Sequence, residues 1–153
     1  MKTSRSRKIS ATGAVCALDK SDYERLSHFR HRLRCFLRTS EDLCLAHGMT
    51  ALQYQLLLHI QGFPGRDWAT VGELAERLQA KHHGIVALID RCEAAGWVKR
   101  QAGTEDKRQV RILLMARGRK LLETLAALHQ PELRWLKEEF NQPGWESRKA
   151  IDN

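Results

Sequence analysis

The sequence predicts a mainly α-helical domain with one small β-hairpin, and three observations support this fold class. Apolar residues recur with helical spacing in five segments, while the period changes to two between Trp97 and Leu114. The 153 residues, 42% apolar and 29% charged, have the balance of a single globular domain. The longest purely apolar runs are five residues, far short of the ~18 that cross a bilayer, so the sequence excludes a transmembrane protein.

The charge of the chain is basic and uneven. The formal net charge is +8, and residues 1–40 alone hold ten basic and three acidic side chains, or +7. A surplus of this kind favours a polyanionic partner, either a nucleic acid or an acidic membrane surface. Residues 1–20 are interpreted as a flexible basic arm rather than a signal peptide, because Ser10, Thr12 and Gly13 interrupt their apolar stretch.

Two helices are predicted in the first part of the chain. The first runs from Asp22 to His47 with a broad apolar face, and Gly48 is its expected stop. The second begins at Thr50 and continues to about Gln61, where a stretch rich in Gly and Pro breaks it.

A pair of shorter helices follows. Thr70 and Glu73 have the spacing of a capping box, which starts a helix that reaches Leu78. After a tight turn, a second helix extends from about Lys81 to Ala95. Two helices joined in this way form a helix-turn-helix unit.

The last part of the chain is predicted as a hairpin and a long helix. Strands at 97–101 and 109–114 are joined by a polar loop, and a basic hairpin in this position makes the unit a winged helix-turn-helix. A helix starts at Ala116, and Pro131 is expected to end or kink it, which makes 131–140 a second piece. Residues 141–153 are expected to be weakly structured.

These segments resemble the MarR (multiple antibiotic resistance regulator) family of transcription factors over roughly Thr50 to Leu122. The resemblance is carried by the following motifs, in order: Thr50-x-x-Gln53-Tyr54, Glu73-Leu74-Ala75, Leu88-Ile89-Asp90-Arg91, Glu93-x-x-Gly96-Trp97-Val98-x-Arg100 and Asp106-Lys107-Arg108. It implies a homodimeric winged-helix protein on operator DNA, usually a repressor that a small molecule releases. A single domain, 21–153, is then divided into a DNA-binding head at 50–115 and dimerisation helices at 21–48 and 116–153. The amphipathic faces of those helices need a partner, which a second copy would supply.

The residues expected to contact double-stranded DNA lie on the second short helix and the hairpin. The helix start, Lys81 to Gly84, offers free N–H groups to phosphate and side chains to base edges. The resemblance implies that Arg108 enters the minor groove, while Asp106 braces the wing through Arg100 or Arg91. Lys99, Arg100, Lys107 and Arg111 would contact the backbone. The expected set is Thr70, Lys81, His82, His83, Gly84, Ala87, Arg91, Lys99, Arg100, Asp106, Lys107 and Arg108.

The sequence leaves the effector open. The resemblance implies a pocket for a small aromatic or phenolic ligand, with Tyr23, His59, Phe63 and Trp68 as candidate lining residues. A metal site is an alternative, because His28, His31 and Cys35 share one side of the first helix. Cys16, Cys35 and Cys44 are possible redox sites. Cys92 stands where the family usually has Leu, an exchange that suits a core position.

The predicted function is therefore a DNA-binding transcriptional regulator in the cytoplasm, without a cofactor, a membrane partner or catalytic activity. A metal- or redox-responsive regulator with the same head is the first alternative. A winged helix used only for protein contacts and a small enzyme are remote alternatives. Against the enzyme, the sequence has no G-x-S-x-G, Walker A, G-x-G-x-x-G or H-E-x-x-H motif.

Overall fold

Five helices and three short strands follow one another in the described residues, 18–104 and 106–140, of the computed structural model. In chain order they are α1 Lys20–Ala46, α2 Ala51–Gln61, β1 Trp68–Ala69, α3 Val71–Arg77, α4 His82–Ala94, β2 Val98–Ala102, β3 Val110–Leu114 and α5 Ala116–Phe140. The order confirms the predicted mainly α-helical winged helix-turn-helix. Residues 1–17 of the predicted arm at 1–20, with Cys16, and the tail at 141–153 lie outside the described residues, and the last residue of that predicted arm, Lys20, begins α1.

Reciprocal capping boxes start three of the helices. The box predicted at Thr70 and Glu73 begins α3. A second box, between Thr50 and Gln53, begins α2, with Thr50 N–H donating to Gln53 Oε1 over 2.8 Å. A third has Asp19 as its N-cap, so α1 starts at Lys20, two residues earlier than predicted. Each box satisfies backbone N–H groups that a helix start leaves without partners.

The expectation that Pro131 ends a helix is wrong. Helix α5 continues from Ala116 to Phe140 with Pro131 inside it. A proline lacks an N–H, so the carbonyl of Ala127 loses its usual helical partner. Both Ala127 and Pro131 are exposed, and water can satisfy that carbonyl at little cost.

The sheet has one strand more than the predicted hairpin. Strand β1 pairs antiparallel with β3, opposite Leu113 and Ile112, and the strand order is β1-β3-β2. The two predicted strands pair from Val98 with Leu114 to Ala102 with Val110. A strand of two residues is too short to give a period-two pattern, which explains why the sequence did not reveal β1.

The main core lies between the helices of the head and the inner face of the sheet. Its fully buried side chains include Leu56, Leu57, Ile60, Leu74, Ile85, Leu88, Ile89, Val98 and Ile112. Cys92 belongs to this core, as its position predicts, and burial raises the pKa of its thiol to about 11. Helix α5 packs closely against the head at Gly118. A Cβ at this position would lie 2.1 Å from the carbonyl oxygen of Trp97.

The long helices α1 and α5 meet the head through a small buried polar contact. His129 of α5 donates from Nδ1 to the Leu125 carbonyl over 2.7 Å, and its Nε2 lies within hydrogen-bond distance, 2.9 Å, of the Ser40 hydroxyl of α1. The His129 ring also stacks on Tyr54 of α2, with centroids 4.5 Å apart.

Among the described helices, none combines the length and hydropathy needed to cross a membrane.

Candidate nucleic-acid interface

Helix α4 separates its residues cleanly into a buried and an exposed face. Ile85, Leu88, Ile89 and Cys92 are buried against the core. Every α4 residue in the predicted set lies on the other side: His82, His83, Gly84, Ala87 and Arg91 are all exposed. Lys81 is the N-cap residue, and its side chain forms no capping hydrogen bond. Lys81 is exposed, and it lies beside the free N–H groups of the first turn. This face can meet a polyanion and present side chains to it.

The hairpin of β2 and β3 carries a second exposed basic surface. Lys99, Lys107 and Arg108 are exposed on it. The loop is shaped locally: Asp106 Oδ1 accepts from the backbone N–H of Arg108 over 2.9 Å, and Gln109 N–H donates to the Asp106 carbonyl over 3.0 Å. Glycine suits position 103 of this loop, because a Cβ there would lie 2.4 Å from the Asp106 carbonyl oxygen.

The brace predicted for the wing is wrong. In the described part of the chain the Asp106 side chain contacts neither Arg91 nor Arg100 but the backbone of its own loop. The Arg100 guanidinium instead forms ion pairs with Asp90 and Glu93 of α4. These hydrogen bonds, that to Asp90 first, raise the pKa of Arg100 although partial burial opposes the rise. Arg100 therefore ties β2 to α4 and is not a free cation for a phosphate.

Thr70, also in the predicted set, is engaged at the start of α3. Its N–H and its hydroxyl both donate to Glu73 Oε2, over 2.8 and 2.9 Å. Burial alone would raise the pKa of Glu73, but the hydrogen bonds from Thr70 and Arg66 outweigh it and lower that pKa. The Thr70 side chain fixes the first helix of the helix-turn-helix.

A row of arginines and aromatic rings covers the outer side of the head. We name it the Arg66 stack, and its members are Arg77, Phe63, Arg66, Trp68 and Arg111. The Arg66 guanidinium carbon lies 4.1 Å from the Phe63 ring centroid and 3.7 Å from that of Trp68. Arg77 lies over Phe63 at 4.5 Å, and Arg111 lies over Trp68 at 4.2 Å. Arg111 is thus engaged with a ring, and its contact with the DNA backbone stays a prediction.

Comparison with known proteins agrees with this geometry. Residues 47–109 match the model of the MarR family. A solved structure of AbsC, a MarR family transcriptional regulator from Streptomyces coelicolor, is similar with a TM-score of 0.69 and 20% identity over 84% of this chain and 86% of that one. A second MarR family transcription regulator has 27% identity and a TM-score of 0.64 over 76% and 75% of the two chains. No curated protein sequence matches.

A third similar structure is a point variant of MepR from Staphylococcus aureus bound to an oligodeoxyribonucleotide, with a TM-score of 0.59 and 21% identity over 76% of this chain and 82% of that one. MepR itself is described as a transcription regulator of a multidrug efflux pump.

The four candidate residues for a ligand pocket, which the MarR resemblance implied, lie in different surroundings, and the pocket stays a prediction. Phe63 and Trp68 come together, but the side chain of Arg66 fills the space beside both rings. His59 is half-buried near Arg77, and burial first and this arginine second lower its pKa. Tyr23 is exposed near the start of α1. Phe63 and Trp68 thus belong to the Arg66 stack, while His59 and Tyr23 are not part of it in the described residues.

A different concavity lies between α1 and α5, outside residues 47–109. It is an open groove of about 260 Å³ lined by Arg32, Cys35, Phe36, Thr39, Pro131, Glu132 and Trp135. Phe36 and Trp135 stack within it, with centroids 5.2 Å apart. Cys35 Sγ lies 3.6 Å from His31 Nε2 at its edge. In the described residues no three His, Cys, Asp or Glu side chains converge on a metal position, which argues against the alternative metal site at His28, His31 and Cys35.

Proposed function

We propose that this protein is a dimeric, DNA-binding transcriptional regulator that acts in the cytoplasm as a ligand-released repressor. The observation that carries the proposal is the pairing of two exposed surfaces on a MarR-family head: the polar face of α4 and the basic wing. The similar MepR structure with a bound oligodeoxyribonucleotide supports DNA as the polyanion. Regulation rather than catalysis fits the transcription regulators to which the chain is similar.

Each surface has its own task on the duplex. Helix α4 lies in the major groove, where Lys81, His82 and His83 face phosphates and base edges at its N-terminal turn. Arg108 enters the minor groove, whose negative potential is greatest where A·T pairs narrow it. Lys99 and Lys107 contact the backbone, which adds affinity without sequence information.

A second copy of the chain completes the regulator. Leu26 and Leu37 on α1 are 43% and 50% exposed, and Leu128 on α5 is 43% exposed. Covering these side chains is favourable at about 25 cal/mol for each Å² of apolar surface removed from water. A two-fold dimer carries two heads, so its operator is a pseudo-palindrome with half-sites about 34–36 Å apart or a multiple of that distance.

Ligand release acts through the long helices in this proposal. The contact of Ser40, His129 and Tyr54 joins α1, α5 and α2, so a small aromatic or phenolic effector that alters the packing of α1 on α5 would alter the position of the head. Changing the distance between two heads on a rigid duplex is sufficient to lower affinity.

The test is a selection of duplexes from a random-sequence 30-base-pair pool by the full-length protein. Fluorescence anisotropy of the selected duplex over a KCl series, with sedimentation of the protein alone, gives affinity, salt dependence and oligomeric state. We expect a pseudo-palindromic sequence, a steep loss of affinity with salt and a dimer at micromolar concentration. Enrichment of no sequence together with salt-independent binding would overturn the DNA assignment, and a monomer would overturn the dimer.

A further inference from the structure

The Arg66 stack extends from the start of α3 to the loop of the wing. At one end the guanidinium of Arg66 forms an ion pair with Glu73, the residue that caps α3. The Arg66 guanidinium also lies over the rings of Phe63 and Trp68, and Arg111 of β3 lies over Trp68 as well.

The stack continues into the wing loop by hydrogen bonds. Arg111 Nε donates to Gln109 Oε1 over 3.2 Å. The backbone of Gln109 then closes the loop, donating to the Asp106 carbonyl and accepting from Gly103 over 2.8 Å. A continuous series of contacts therefore joins the first helix of the helix-turn-helix to the loop that carries Arg108.

The aromatic rings, and not hydrogen bonds alone, hold the centre of this series. The Arg66 side chain is only 23% exposed, and its Nε is buried without a hydrogen-bond partner in the described part of the chain. A guanidinium over an aromatic face is attracted by the ring quadrupole, more strongly when water is excluded. The contact with both Phe63 and Trp68 thus depends on the planar guanidinium of Arg66 as well as on its charge.

The wing is braced at both of its strands. Arg100 ties β2 to Asp90 and Glu93 of α4, and the Arg66 stack ties β3 to α3. The two braces hold different strands to different helices, so together they fix the direction of the hairpin relative to both helices of the helix-turn-helix.

We propose that the Arg66 stack is a positioning element for the wing, with Trp68 as its central residue, and that it sets how deeply Arg108 reaches into the minor groove. This inference rests on the proposed function. None of the stack residues needs to touch DNA. A wing held in advance loses less conformational entropy on docking than a free one, so the stack increases affinity through Arg108.

The experiment is a double-mutant cycle on the selected duplex, using Trp68→Ala, Arg108→Ala and the double variant in the full-length protein. We expect Trp68→Ala to weaken binding about 5-fold and to reduce discrimination against duplexes with substituted A·T flanks. In the Arg108→Ala background the same change should alter affinity less than about 2-fold. Trp68→Phe, which keeps an aromatic face for both arginines, should restore most of the affinity and flank discrimination.

A matched control comes from α5. Arg119 contacts Gln61 and Asp67 beside the stack, and among the described residues it forms no hydrogen bond or ion pair with the wing. Arg119→Ala should show no coupling to Arg108→Ala. If Trp68→Ala does not fold by circular dichroism, Arg66→Lys carries the same expectation, because lysine keeps the charge toward Glu73 but cannot lie flat between two rings.

The outcomes separate the two proposals. The positioning role would be overturned if Trp68→Ala lowered DNA affinity equally in the wild-type and Arg108→Ala backgrounds, or if Trp68→Phe failed to restore affinity. Either result would leave DNA binding intact. Failure of the wild-type protein to bind any selected duplex would overturn the proposed function, and the positioning role with it.

Discussion

The winged head and the long flanking helices differ in how they bury their apolar residues. In the head, α2 buries Tyr54, Leu56, Leu57 and Ile60 within eleven residues, and α4 buries four of thirteen. Along the 27 residues of α1, all of them described, the buried side chains are Ser40 and Cys44. The head therefore has a core of its own, whereas α1 has an apolar face that residues 18–104 and 106–140 leave largely uncovered.

This difference assigns different energetic roles to similar side chains. A leucine or isoleucine in the head contributes to the folding of one chain, and substituting it leaves a cavity. A leucine on α1 contributes only when something covers it. A single sequence pattern, apolar residues at helical spacing, thus stands for two different structural situations.

The largest expected effect is in the head. Ile89 of α4 is fully buried, and Ile89→Ala should lower the free energy of unfolding by about 2–5 kcal/mol, measured by urea denaturation. Ile89→Val, which removes one methylene, should cost only about 0.5–1.5 kcal/mol. A loss below about 1 kcal/mol for Ile89→Ala would mean that the head is loosely packed and would remove the contrast with α1.

Substitutions in the wing should change DNA affinity in two different ways, depending on which part of the duplex each side chain contacts. Arg108→Ala should cost about 1–3 kcal/mol, mostly on duplexes with A·T-rich flanks, because it removes a minor-groove contact. Lys99→Ala should weaken all duplexes about equally and reduce the salt slope by about one unit per head, because it removes a phosphate contact. Anisotropy with one operator and its flank variants distinguishes the two, and equal losses from both variants would contradict the minor-groove role.

Periodicity predicted the helices well because each buries a continuous face, but it could not reveal contacts between distant residues. Glu73 was found from its spacing to Thr70, since a capping box is local. The Arg66 stack joins positions 63, 66, 68, 77 and 111, which share no period, and the two-residue β1 gives no pattern at all. The expected brace at Asp106 came from the family resemblance, whereas Arg100 finds its partners seven and ten residues earlier on α4.

The flanking helices should respond to protein concentration where the head does not. Leu37 is half exposed, so Leu37→Ala should change the stability of an isolated chain by less than about 0.5 kcal/mol. In a dimer the same change should weaken association by about 1–2 kcal/mol, since that side chain is covered by the second copy. Sedimentation at several concentrations measures the dissociation constant. The unfolding temperature of the wild type should rise with concentration, and a constant value would argue against the dimer.

The start of α4 should make DNA binding sensitive to pH. His82 and His83 are exposed beside Lys81 on the face proposed to meet phosphate. Lowering the pH from 8 to 6 adds positive charge to histidine side chains, so non-specific affinity should rise about 3- to 10-fold. The rise should disappear in a His82→Ala/His83→Ala double variant. If the double variant keeps the full response, other histidines are responsible, and His28→Ala/His31→Ala on the exposed side of α1 is the next variant to measure.

The smallest expected effect concerns Glu132 of α5. Among the acidic side chains of α5 in the described part of the chain, it is the one with a buried oxygen that has no hydrogen-bond partner. Its Oε1 has no hydrogen-bond partner, and burial raises the pKa of this carboxyl above its ordinary value of 4.5, although His129 nearby opposes the rise. The folded state therefore holds the proton of Glu132 to a higher pH than the unfolded chain does. Stability from this group is complete below the ordinary glutamate pKa and is lost as the pH rises through the raised value.

Glu132→Gln replaces the ionised carboxylate by a neutral amide of the same shape. The variant should be more stable than the wild type at pH 8, by less than about 1 kcal/mol, and the difference should shrink to nothing near pH 4. Urea denaturation at pH 8, 6 and 4 measures it. Glu123→Gln, on the exposed side of the same helix, should change nothing at any of these values. A difference for Glu132→Gln that persists at pH 4 would trace the effect to packing in the groove and not to charge.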